Sequence, residues 1–375
     1  MQSRDRYMET LLFGKPDKVP FEPGLPREKT LQRWYSEGLS PDFDWFEQLC
    51  GHIGIHDESV FSPVTQPEIN FRMNPTFEEK ILAHQDGHYI VQDWMGNITE
   101  ISDEYDVTYI RSPKDFVTRK WHRFPVTCRD DFAAMKKRYD PEDPTRYPKD
   151  FVDQVHTLKK QGAFISVSFA GVFWQLREWC GFEPLCQLLV DDPDFFQEMA
   201  EFWRDFISRT LMRVLNSNMV DRIYVSEDMA YKGKSMISPA MVRRFLAPIW
   251  AQWISQAKSF GVQVFDMDSD GFIGELIPIW IDVGFNVCDP IEVAAGCDIN
   301  EFRRRFGANM AYRQGVDKRC IAQGGPAIER ELNRLAVVVQ SGGYIPGCDH
   351  GVPFDISWPN FIEYSRLLAR LTGWL

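Results

Sequence analysis

The chain has 375 residues, 44% of them hydrophobic and 26% charged, with 42 Lys+Arg against 54 Asp+Glu and a formal net charge of −12. That is the make-up of an ordinary folded protein and excludes a disordered or fibrous one. So acidic a chain repels phosphate backbones and anionic lipid, so neither nucleic acid nor a membrane surface is an expected partner. No apolar run has the length of a membrane span, and the opening MQSRDRYMETLLFGKPDKVP lacks the apolar stretch and cleavage site of a signal peptide. The eight cysteines are scattered without a CxxC pair and read as reduced thiols, so the expected compartment is the cytoplasm.

In chain order, VPFEPG near Gly24 and HIGIHD near Asp57 read as two short strands. Residues 67–123 are rich in Thr, Tyr, Ile and Val, with turn signals at Asp86–His88 and Met95–Asn97; they predict an inserted β-hairpin or small antiparallel sheet. After the loop Pro141–Pro148, Ala163–Phe169 reads as a strand. A long helix begins beyond Asp192, with Phe195, Met199, Phe202 and Phe206 on one face. IYVSED follows, then Ser238-Pro239 as an N-cap and first helical position, with Pro248 predicted to kink the helix and Gly261 to close it. VFDMDSD, NVCDP, AYRQG and YIPGCD alternate with helical patterns to the C-terminus. Strand–helix alternation means parallel strands joined by crossovers, and eight such strands predict a single (β/α)8 TIM barrel with the β insertion after its second strand.

In such a barrel the site forms where strands run into loops. The predicted strand ends carry Asp57, Glu227, Asp228, Asp266, Asp268, Asp270, Asp289, Glu292, Asp317, Asp349 and His350. Asp266 and Asp268 share a face at period two, and crowded carboxylates cannot all ionise without a cation or a proton. The expectation is therefore a mouth lined by acids, with Asp268, Glu227 and Asp228 as catalytic candidates. Arg27 is a candidate carboxylate clamp, and Cys348 with its neighbours offers donors that zinc accepts. Walker, GxGxxG, GxSxG and HExxH motifs are absent, which argues against P-loop hydrolases, simple serine esterases and zincins.

The stretches RDRYMETLLFGKPDKVPF, YVSEDMAYKGKSMISPAMVRRFLAP, DMDSDGFI and GGYIPGCDHGVPFD resemble the uroporphyrinogen decarboxylase superfamily over most of the chain. The resemblance implies a (β/α)8 barrel and one of two activities, porphyrinogen decarboxylation or corrinoid-dependent methyl transfer. Decarboxylases of the superfamily carry RQAGRY after the first strand, where this chain reads PGLPREKTLQRW; Arg27 is kept and the motif is not. Asp57 corresponds to the decarboxylase aspartate after the second strand. Methyltransferases of the superfamily often bind zinc through His-x-Cys after the fifth strand and a Cys after the last. Asp266-Met267-Asp268 and Cys348 stand at those places, which implies a mixed Asp/Cys zinc site.

The expectation is a corrinoid-dependent methyltransferase that demethylates a methoxylated or methylated small molecule, its corrinoid carried by a separate protein. Asp268, Glu227 or Asp228 would supply a proton. Arg27, Asp57, Tyr231, Lys232, Glu292, Asp317 and His350 would bind or orient substrate, and Asp266, Asp268 and Cys348 would bind zinc. The alternative is uroporphyrinogen decarboxylase or a related decarboxylase, with Arg27 and Lys232 on substrate carboxylates.

Overall fold

The computed structural model describes residues 1–61, 64–111 and 117–375, so residues 112–116 of the predicted insertion lie outside the described residues. Its strands are β1 (Val64–Thr65), β2 (Lys80–Gln85), β3 (His88–Gln92), β4 (Ile98–Ser102), β5 (Arg119–Arg123), β6 (Phe164–Ala170), β7 (Arg222–Ser226), β8 (Ala230–Tyr231), β9 (Lys234–Ser235), β10 (Val264–Asp268), β11 (Val287–Asp289), β12 (Ala311–Arg313) and β13 (Tyr344–Ile345). Seven of them form one curled parallel sheet in the order β1-β6-β7-β10-β11-β12-β13. The eighth place is taken by the extended segment around Pro23–Pro26, which pairs beside residues 348–352 through Cys348 N–H to Pro23 O and Val352 N–H to Leu25 O. Among the described residues no ladder joins that segment to β1, so the sheet is a barrel wall that hydrogen bonds do not close.

The second predicted strand is in the wrong place. Ile53 belongs to the helix Trp45–Ile53, whose buried Leu49, Cys50 and Ile53 follow helical rather than alternating spacing. Gly54 ends that helix at φ +89°, and the strand comes later, at β1. The later elements match the sequence pattern. Asp192 caps the helix Pro193–Leu215 through Phe195 N–H, and Ser238 caps the next through Met241 N–H. Pro248 has no N–H for the carbonyl four residues back. The chain answers with a π turn at Val242–Leu246 before resuming as Ala247–Lys258.

Alternation sorts the sheet residues. Ile165, Val167, Ile223, Val225, Phe265, Met267 and Cys288 face the helices. Phe164, Val264, Val287, Ala311 and Ile345 face inward, where Tyr7 and Leu11 of the helix Ser3–Leu11 pack against them and fill the bottom of the barrel.

The insertion follows β1 as expected. It is a four-stranded antiparallel sheet, β2-β3-β4-β5, whose first hairpin turns at Asp86-Gly87 with both residues at positive φ. Arg146, 1% exposed, fixes the approach to it. Its guanidinium donates to the carbonyls of Asp140, Asn70, Arg72 and Arg138 at 2.6, 2.9, 2.7 and 3.2 Å. Arg146→Met leaves four carbonyls without their donor, and we expect chemical denaturation to show a loss of about 3 kcal/mol.

Candidate active site

A cavity of about 880 Å³ lies between the C-terminal end of the sheet and the insertion. Its floor is Ser168, Ala170, Ser226, Asp268 and Asp270 at the strand ends. Trp174, Gln175, Glu178 and Trp179 come from the helix Val172–Cys180 that follows β6. The roof is Phe71, Arg72, Met73, Trp94, Met95, Arg111, Arg119 and Trp121, from the insertion and the segment that leads to it. Arg27 and His350 stand at the side, 3.4 Å apart between Nη2 and Nδ1, and His350 Nε2 lies 3.3 Å from Asp270. Size and aromatic lining are those of a small-molecule site.

Beneath the floor is a buried ionic network. Arg222 Nη1 lies 2.9 Å from Asp266, and Arg313 reaches Asp266, Asp289 and Glu22 at 3.3, 3.1 and 2.9 Å. Tyr7 Oη donates to Glu22 at 2.6 Å. Asp268 stands next in register to Asp289, one inward position above Asp266, and among the described residues no cation pairs with it. Burial, with Asp270, Asp266 and Asp228 nearby, pushes its carboxyl up to about 7 against the pull of the Ser226 hydroxyl. Burial likewise pushes Glu178 up to about 7, with Arg177 and Arg119 pulling back and Asp93 adding to the rise. Two carboxylic acids that hold protons near neutrality thus face one aromatic cavity.

The other acids are structural or lie elsewhere. Glu227, fully buried, accepts from the N–H groups of Val172, Phe173 and Trp174 and from Trp250 Nε1, at 2.7 to 3.1 Å. It anchors the start of the helix that carries Glu178 and does not line the cavity. Burial pushes this carboxyl up to about 7 while the four donors work against it. Gly171 is required by contact alone: a Cβ there would meet the Glu227 carboxyl at 2.1 Å, although its φ of −69° suits any residue.

Asp228 pairs with Arg177 at 2.8 Å. Glu292 accepts from Gly271 N–H and lies 3.7 Å from Lys318, Asp349 accepts from Val293 and Lys318 N–H, and Asp317 caps the helix Lys318–Gln323 while pairing with Arg319; all three tie loops together. Tyr231, 48% exposed, and Lys232 sit on the β8-β9 hairpin outside the cavity. Asp57 lies at the surface, 2.8 Å from Lys18. Of the predicted site residues, Asp268, Arg27 and His350 are brought together in the cavity.

The donor set expected for zinc does not fit. Asp266 is held by two arginines, which occupy the place of a cation. Cys348 is buried against Gly24, where a Cβ would meet its own Cβ at 2.8 Å. Among the described residues no three His, Cys, Asp or Glu side chains gather to hold a metal.

The cavity is also not the acid-lined mouth expected. Four arginines line it (Arg27, Arg72, Arg111 and Arg119) against Asp268, Asp270 and Glu178. Sequence reasoning missed Glu178, Arg72 and Arg119. For Glu178 a signal existed: it lies four residues after Trp174 and three after Gln175, a polar, aromatic stripe in a helix leaving a barrel strand. The roof arginines had none, because only the tertiary fold brings the insertion over the sheet.

No family model and no curated protein matches the chain. A solved methyltransferase from Methanosarcina mazei superposes over 100% of this chain and 98% of that one, with a TM-score of 0.59 and 12% identity. A B12-independent methionine synthase from Shewanella sp. W3-18-1, bound to selenomethionine, matches 61% of this chain and 67% of that one, with a TM-score of 0.40 and 11% identity. The first likeness establishes a shared fold.

Two outcomes follow from the anchors. Gly171→Ala is expected to cost about 2–3 kcal/mol by overpacking. In a Glu227→Ala background the same change should cost much less, which a double-mutant cycle in urea measures. Glu178, raised from its ordinary 4.5 to about 7, favours the fold while protonated. Stability therefore falls as pH climbs from about 4.5 to about 7, and Glu178→Gln should make that fall shallower by about 1–3 kcal/mol in denaturation curves across pH.

Proposed function

We propose that the chain is a small-molecule methyltransferase of the methyl-transfer branch of the uroporphyrinogen decarboxylase superfamily, working as a single-domain enzyme in the cytoplasm. It would demethylate a methyl ether or similar donor bound in the cavity. The observation that carries this reading is Asp268, a carboxyl with no paired cation among the described residues, at the floor of an aromatic cavity roofed by the insertion; burial and its neighbouring acids push it up to about 7. The fold shared with the Methanosarcina mazei methyltransferase supports it. The cavity has the volume of a small-molecule site, which supports the reading that a corrinoid acceptor is carried by a separate protein docked at the mouth. When docked there, a reduced corrinoid would supply the electron pair that takes the methyl group.

This chain's residues handle the rest. When the methyl carbon–oxygen bond breaks, its electrons stay on oxygen, and Asp268 gives that oxygen its proton, so the demethylated product leaves as a neutral alcohol or phenol. The aromatic side chains shield part of the cavity, where an unprotonated oxyanion costs more than in bulk water and a proton donor helps most. Glu178, facing the same space, holds the second proton.

Asp268→Asn is expected to lower kcat for a methyl ether about 10²–10⁴-fold with KM little changed. Because the acid form is the active one, the wild-type rate should fall as pH rises through about 7. The loss should shrink for donors whose leaving phenol is acidic. Stopped assays with reduced cobalamin as acceptor check all three, and an unchanged rate in Asp268→Asn contradicts the assignment.

The four cavity arginines favour a second reading, decarboxylation of a carboxylated substrate such as uroporphyrinogen. Stepwise carboxyl loss on incubation with uroporphyrinogen would rank it first.

A further inference from the structure

Arg72 differs from the other cations of the cavity. Arg111 is bound to Glu79 through Nε at 2.6 Å, and Arg119 donates to the carbonyls of Tyr109 and Ile110. Arg72 is exposed to the cavity, and among the described residues its guanidinium has neither a hydrogen-bond acceptor nor a carboxylate. It is nonetheless held in place. Its guanidinium lies over the Trp94 ring, 5.3 Å from the centroid, its N–H donates to Asn70 Oδ1 at 2.9 Å, and its carbonyl receives the buried Arg146 at 2.7 Å. An open guanidinium fork, stacked on an indole and carried on a residue whose own N–H and carbonyl are both hydrogen-bonded, is organised before anything binds.

We propose that Arg72 is an anion subsite in the cavity roof and that the substrate is a planar molecule bearing a carboxylate, bound by Arg72 with its flat body against the aromatic walls and its reacting end toward Asp268. A carboxylate matches the planar, bidentate donors of guanidinium, and Arg119 adds positive potential on the same side. Phe71, Trp94 and Trp174 line the same cavity and give it apolar ring surface for a flat body. The inference rests on the reading that this cavity is the substrate site, and it does not depend on which bond is broken there.

The test uses the full chain, with 2-naphthoate as probe and its neutral primary amide, 2-naphthamide, as control, both followed by titration calorimetry at low salt. The carboxylate is expected to bind at least about 10-fold tighter than the amide. Arg72→Gln should bring the two within about 2-fold while the amide affinity stays where it was, which also reports an intact cavity. Arg111→Gln, whose cation is already engaged by Glu79, should keep the preference. Equal affinities in the wild type, a preference that survives Arg72→Gln, or no binding of either probe overturns the subsite. If Arg72→Gln weakens amide binding as well, Arg72→Lys decides: a carboxylate preference retained there supports the subsite, and its loss overturns it. A carboxylate preference without methyl transfer from any donor keeps the subsite and removes the methyltransferase reading. Methyl transfer from donors with no such preference does the reverse.

Discussion

The site depends on two guanidinium groups inside the barrel. Arg222 and Arg313 sit among Glu22, Asp266 and Asp289; Arg222, Asp266 and Asp289 are buried, and each charge there is tolerated because a partner of opposite sign lies in contact. The pairing does not come out even, since three carboxylates share two cations. One oxygen each of Asp266 and Asp289 is left buried without a hydrogen-bond partner. Asp268, level with Asp289 and one inward position above Asp266, is buried beside Asp270, Asp266 and Asp228 with no paired cation among the described residues, so keeping its proton is the cheaper state. Burial comes first and the nearby carboxylates Asp270, Asp266 and Asp228 second as the physical reason that a carboxylic acid stands at the floor of the cavity.

The walls follow from a second use of carboxylates. Glu227 spends its two oxygens on a helix start and an indole, which sets the helix from Val172 at the angle that turns Trp174 and Glu178 toward the cavity. Arg146 does the equivalent for the roof, drawing four carbonyls around one buried charge and so holding the segment that presents Phe71 and Arg72. The floor rests on a network of paired side chains, the wall on Glu227 and the roof on Arg146, and the cavity between them is left for a ligand.

Much of the scaffold was legible in the sequence, because parallel strands and their helices carry strong local patterns. β6, β7 and β10 to β13, the caps at Asp192 and Ser238, the break before Pro248 and the hairpin at Asp86-Gly87 all have signals within a few residues of themselves. HIGIHD failed because a helix end with buried Ile53, followed two residues later by buried Ile55, imitates alternation over a short window. The acids at the strand ends were found, but not their duties. Whether a carboxylate faces a cavity or a buried arginine is decided by residues distant in sequence, as with Asp266 and Arg313. The positive roof was invisible for the same reason, since Arg72 and Arg119 meet Asp268 only through the fold.

The central claim is that Asp268, buried beside Asp270, Asp266 and Asp228 and paired with no cation among the described residues, keeps its proton up to about pH 7. Infrared difference spectra of the wild type against Asp268→Asn, taken across pH, read that proton directly. The account predicts a protonated-carboxyl band belonging to Asp268 that disappears near pH 7. A carboxylate band already fully formed at pH 5 would contradict it.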